Sequence, residues 1–303
     1  DQDAMARIYL SLGGIARQHD QYAAAIQYHT AALAIQRRLN NTQGMADALH
    51  NLGVAETFLG RYADAQQRFQ ECYTIDCTLG DQWGMFLDLN SWGVLDYMQG
   101  NYAVARRRLE EGLAIARRLG AKTRLSLLLS HLGKVALAEA QLAQANRAFQ
   151  EALTLADEVG IKSQRFAAQM GISLCLLQQE EDQAAYTYLA RCMTIWREDQ
   201  KPKELVSLLD ALALYFARCS PTANTASCAD ACRGNAEKAI YLVGFAQTLR
   251  EQQQLPPREA IYLPIYEKAL THARAKLTPE QFNAACAYGR TQTIAAITQL
   301  LTP

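Results

Sequence analysis

The chain reads as an all-α protein, a right-handed superhelical solenoid of helix-turn-helix repeats with a C-terminal helical cap. Three observations predict it. Gly53 has counterparts at a forty-residue step in Gly13, Gly93 and Gly133, and the same step falls on the small residues Ser173 and Ala213. Twelve residues past each of the first five stands an alanine: Ala25, Ala65, Ala105, Ala145 and Ala185. Pairs of glycines, Gly60 with Gly80 and Gly100 with Gly120, then mark two stops in each period. A residue without a bulky side chain, repeated at one place in successive hairpins, lets two helix backbones approach closely, so the period is one of packing rather than of chemistry.

The elements follow in order. Residues 3–18 carry Ile8, Leu12 and Ile15 at the three-and-four spacing of a helix with one buried stripe. Residues 20–22 break it, and a second helix over 23–39 turns Ala25, Ile26, Ala32, Leu33 and Ile35 inward. In the second and third repeats Gly60 and Gly100 close the first helix, Tyr62 and Tyr102 open the second, and Gly80 and Gly120 close that one. Glycine just past the last apolar position takes the left-handed conformation that ends a helix at little cost. Phe69, Leu109, Phe149 and Leu189, each four past the alanine, are core positions. The fourth and fifth repeats replace the inter-helix glycine by Ala140 and by a Glu180-Glu181-Asp182 turn.

Five hairpins are thus expected over 1–200, and a degenerate sixth over 201–253 with an inserted loop at 220–235. That loop is rich in small and polar residues. Its partner helix is expected over 236–253, a long helix over 257–276, and another from a capping box of Thr278, Pro279 and Gln281 to a stop at Gly289. A last short helix capped by Thr293 reaches Leu301. The helices of 254–303 are expected to cover the apolar end of the array.

Composition narrows the function. Half of the 303 residues are hydrophobic, and 30 Lys and Arg balance 30 Asp and Glu, so no overall positive field draws the chain to nucleic acid or acidic lipid. The clusters at Arg37-Arg38, Arg106 to Arg108 and Arg117-Arg118 read as solvated helix faces. No leader and no apolar run of about 20 residues is found, which points to a cytoplasmic protein that does not span a membrane. Five of the eight cysteines (Cys72, Cys77, Cys175, Cys192 and Cys286) sit in expected helices, where a reduced thiol replaces alanine. Cys219, Cys228 and Cys232 lack a nearby histidine and do not complete a tetrahedral zinc set, so free thiols, a disulfide or a metal stay open there. No metal site, no cofactor and no catalytic set is expected, and no glycine-rich phosphate loop ends in Lys-Ser or Lys-Thr.

The pairs Leu12-Gly13, Leu52-Gly53 and Leu132-Gly133, with Ala65 and Phe69 and with Ala145 and Phe149, resemble the tetratricopeptide repeat over residues 1 to about 200. The period is longer than the usual one and the closing proline is missing, as in kinesin light chain and in the sensor arms of bacterial signal-transduction ATPases. The tail is similar to the C-terminal end of STAND and LuxR-type regulators of the maltose-regulon-activator kind. Its matching residues are 239–246, Leu249-Arg250, Leu255-Pro256-Pro257, Phe282 and Tyr288-Gly289-Arg290. The resemblance implies a non-catalytic sensing arm that takes a peptide, a protein or a small inducer, with a nucleotide-binding module upstream. A freestanding adaptor is the alternative.

In such a stack the first helices line the concave side, and offsets from the repeated glycine choose the candidate contacts. Three before it stand His50, Asn90 and Ser130, one after it Lys134, and four after it Arg17 and Tyr97, with Asp47 and Phe58 on the same face. By the same offsets His131 points away from the groove.

Overall fold

The computed structural model describes residues 1–218, 226–253, 255 and 263–300, and among them every regular element is an α-helix. The chain divides into two compact units, Asp1–Glu139 and Ala140–Pro303. The first unit holds α1 (Gln2–Gln18), α2 (Tyr22–Arg38), α3 (Thr42–Phe58), α4 (Tyr62–Leu79), α5 (Gln82–Met98), α6 (Tyr102–Arg118) and α7 (Lys122–Ala138). The second holds α8 (Leu142–Val159), α9 (Lys162–Gln178), α10 (Asp182–Asp199), α11 (Pro202–Arg218), α12 (Ala226–Gln252), α13 (Leu263–Arg274), α14 (Pro279–Thr291) and α15 (Ile294–Leu300). Consecutive helices pack on one another from α1 to α7 and from α8 to α13, which is the hairpin array that the period predicts, and α14 packs on α12.

The punctuation is stricter than the glycines alone suggest. Among the described residues ten take a positive φ, and they fall on every twentieth position: Asp20, Asn40, Gly60, Gly80, Gly100, Gly120, Ala140, Gly160, Glu180 and Gln200. Each such residue reverses the chain after a helix of 17 or 18 residues. The next N–H bonds back to a carbonyl of the last turn, as Arg61 does to Glu56 and Asp81 to Asp76. Where glycine is absent the neighbours hold the same geometry, at a cost of roughly 1–2 kcal/mol for a residue with a Cβ.

The glycine column and the core column face each other. A Cβ added at Gly53 would stand 2.8 Å from the Phe69 ring, and one at Gly93 2.8 Å from Leu109. Phe69, Leu109, Phe149 and Leu189 are fully buried as expected. The first repeat puts His29 in that column against Gly13, also without exposure and with neither ring nitrogen hydrogen-bonded. Burial first, then repulsion by Arg17 and His50, lowers the His29 pKa to about 4. In the fifth repeat Ser173 is buried with its hydroxyl on the Met170 carbonyl, and Gly171, two residues earlier, is the residue pressed against Phe149.

Three expectations are corrected. Ile8, Leu12 and Ile15 are exposed, and α1 buries Ala6, Gly13 and Ala16 instead. In the following repeat the equivalent Ala48, Leu52 and Ala55 are buried beneath their neighbours, a cover that α1 does not have. Helix α12 begins at Ala226, so the backbone of 226–235 is helical rather than looped. Residues 219–225, Cys219 among them, and the side chains of Cys228 and Cys232 lie outside the described residues, as do Pro256 and Pro257. Gly289 does not end α14, which runs on to Thr291. It is the point where α14 meets α12: a Cβ there would fall 2.3 Å from the Tyr241 carbonyl oxygen, and one on Gly244 3.0 Å from that of Cys286. The Thr278 capping box is present, and the Thr293 hydroxyl accepts from the Ala296 N–H.

Candidate binding groove

In the first unit α1, α3 and α5 also touch the next first helix along, α3, α5 and α7, and so form one face of the stack. On that face a cleft of about 140 Å³ opens, lined by Val54, Thr57 and Phe58 of α3, Asn90, Ser91 and Val94 of α5, His131 of α7, and Phe69 below. The walls are apolar because the position after the repeated glycine is valine twice, at Val54 and Val94. The edge is polar. His131 Nδ1 lies 2.8 Å from Asn90 Oδ1, and an imidazole N–H donating to that oxygen sets which way the amide faces. Asn90 is 9% exposed, so its amide sits at the floor rather than on a free surface. Thr57 donates to the Gly53 carbonyl at 2.7 Å, which commits its hydroxyl to its own helix.

Of the expected contacts, the structure brings only Phe58 and Asn90 to this cleft. Phe58 stacks on Tyr22 with ring centroids 5.3 Å apart, a wall held rigid by the neighbouring hairpin. His50 turns inward to Asp88 at 2.7 Å. Ser130 is buried, with its hydroxyl on the Ser126 carbonyl. Asp47 is exposed one turn before His50, Tyr97 leans on Tyr102, and Arg17 and Lys134 are half-buried, none of them lining the cleft. His131 was assigned to the wrong side by offset, yet it lines the cleft, as does Ser91. Helical side chains lean toward the N-terminus, so a surface spot is covered by a residue further along than a simple wheel gives.

Charge is concentrated behind this face. Glu56 faces Arg68 at 3.7 Å, and Asp96 pairs with Arg108, the same offset one repeat later. Burial raises the pKa of both acids, and the arginines oppose it. Arg108 also lies over the Trp92 ring, 3.8 Å from its centroid. These pairs tie the two helices of a hairpin together. No helix among the described residues is long and apolar enough to cross a membrane.

Comparison with known proteins agrees with this architecture. Residues 4–78 match the tetratricopeptide repeat family. No curated protein matches the chain. Among solved structures it is similar to a Rap protein complexed with Competence and Sporulation Factor, at 13% identity and a TM-score of 0.67 over 94% of this chain and 77% of that one. It is also similar to the Rap conjugation regulator of plasmid pLS20 in complex with the Phr* peptide, at 14% identity and 0.63 over 91% and 74%. Pseudomonas aeruginosa PilF matches at 19% identity and 0.53 over 84% and 99%. Residues 4–78 therefore carry tetratricopeptide repeat sequence, and the chain as a whole has a TPR-like helical fold.

Proposed function

We propose that the first-helix face of residues 1–139 binds a peptide segment, and that the chain serves as the non-catalytic sensing arm of a bacterial ATPase or transcriptional regulator. The cleft between α3, α5 and α7 carries this reading. Its volume, about 140 Å³, is below the ~300–1,000 Å³ of pockets that enclose a whole small molecule, but suits one apolar side chain. An extended peptide that seats such a side chain between Val54 and Val94 brings its backbone amides to the Asn90 and His131 edge, where an amide and an imidazole pair with peptide groups. Two of the structures of similar fold hold a peptide or a factor, which supports the same use here.

The regulator context rests on the tail resemblance and places a nucleotide-binding module upstream. A freestanding adaptor is the second reading, and a coding frame that continues upstream into a nucleotide-binding module separates the two. For the groove itself, a random peptide library is selected against the immobilised chain. The selected peptides are expected to lose at least tenfold in affinity on Val94→Trp and on Asn90→Ala with His131→Ala, with melting unchanged. Peptides that bind those variants as well as the parent would overturn the assignment.

A further inference from the structure

Beneath the cleft, three successive helices bring together side chains that peptide binding does not use. His50 comes from α3, Cys72 and Asp76 one turn apart from α4, and Asp88 from α5. The His50 and Cys72 donor atoms and an Asp88 oxygen all lie within 4.8 Å of one another, with His50 Nδ1 at 2.7 Å from Asp88 Oδ1. Cys72, Asp76 and Asp88 are 0%, 3% and 1% exposed. Neither Asp76 Oδ1 nor Asp88 Oδ2 receives a hydrogen bond.

The repeat asks for none of these four residues. Ala48 and Ala168 stand where Asp88 does, Ala116 and Ala156 where Asp76 does, Ala32 and Ala152 where Cys72 does, and Leu10 and Met170 where His50 does. The six alanines are all fully buried, so the hairpins close without a polar group at those places. Buried carboxylates are costly unless they are paired or coordinate a metal.

We propose that His50, Cys72 and Asp88 bind one divalent ion of the zinc class, which ties α3, α4 and α5 together, with Asp76 one turn beyond Cys72. An imidazole, a thiolate and a carboxylate form a mixed nitrogen, sulfur and oxygen set of three protein ligands, to which zinc adds a water in its fourth position. Bonds of ~2.0–2.3 Å in a tetrahedron put donors about 3.3–3.8 Å apart. The His50–Asp88 contact therefore opens, and the widest donor separation closes by about 1 Å, adjustments on the scale of a side-chain torsion. Binding displaces the thiol proton of Cys72 to solvent.

The test uses the whole chain, reduced and stripped of metal by a chelator, titrated with Co²⁺ and then with Zn²⁺. One equivalent of Co²⁺ is expected to give a tetrahedral spectrum with a thiolate charge-transfer band, and Zn²⁺ to displace it and raise Tm. Cys72→Ala and Asp88→Ala install residues that other repeats carry, so both should fold. Each is expected to weaken binding at least 100-fold, and Cys72→Ala to abolish the charge-transfer band. Should Asp88→Ala melt early, His50→Leu asks the same question. The proposal is overturned by a pale six-coordinate cobalt spectrum in the parent, or by variants that bind as tightly as it does.

Discussion

The hairpins of α3 to α6 and those of α8 to α11 share one backbone register and bury very different side chains. The first group hides Glu56, Asp76, Asp88, Asn90 and Asp96, while the second buries an almost unbroken apolar run from Met170 to Leu177. Position by position, Asp88 becomes Ala168, Asp76 becomes Ala156 and Asp96 becomes Leu176. The array thus fixes which places are buried and not the polarity of the side chain there. Buried charge in one region is then an addition to the architecture, and it sits where the cleft and the proposed metal site are.

The largest test of that comparison is Phe69→Ala against Phe149→Ala. Both rings are fully buried, so each truncation should cost about 3–5 kcal/mol in denaturant melts. A much smaller loss at Phe69 would mean that the polar hairpins are loosely packed, and the comparison would fail. Gly289→Ala comes next. Its Cβ would strike backbone at Tyr241, which cannot swing aside, and a loss of about 2–3 kcal/mol with faster amide exchange in α14 is expected.

His29→Leu probes a buried polar residue outside the proposed metal set. Burial holds the folded pKa of His29 at about 4, below the ordinary 6.5, so the unfolded chain takes up the proton first as pH falls. The parent keeps its stability above pH 6.5 and loses it toward pH 4, by about 2–3 kcal/mol relative to the leucine variant. Melting both proteins across that window gives the difference directly, and a difference that stays flat with pH would refute it. The smallest effect is at the chain reversals. Ala140→Gly and Glu180→Gly relieve a positive φ and should each gain about 0.5–1 kcal/mol, whereas Gly100→Ala should lose a similar amount.

The helix count and stops of residues 1–200 were legible because glycine and alanine leave a mark wherever backbones crowd. Gly53 and Gly93 announced themselves by recurring. Gly289 does not recur, and a lone glycine near a helix end reads as a stop when its actual partner, Tyr241, lies far away in sequence. Ile8, Leu12 and Ile15 were misplaced because periodicity shows which face is apolar and not whether anything covers it. At the cleft, Asn90 and Phe58 were found by offset, and His131 was lost to the lean of helical side chains. The group of His50, Cys72, Asp76 and Asp88 has no spacing that a motif would catch. Its signal was an aspartate, Asp88, in a column that elsewhere holds the apolar residues Ile8, Ala48, Leu128 and Ala168, visible only once repeats are laid over one another.

The reversal at every twentieth residue has a consequence for how such a chain can change. Duplicating or excising one forty-residue period would leave the helix lengths, the turns and the facing glycine and core residue of each remaining hairpin as before. Unequal recombination within the coding sequence could therefore lengthen or shorten the array while a specialised stretch such as α3–α5 is carried along intact, its chemistry diverging under a frame that tolerates it.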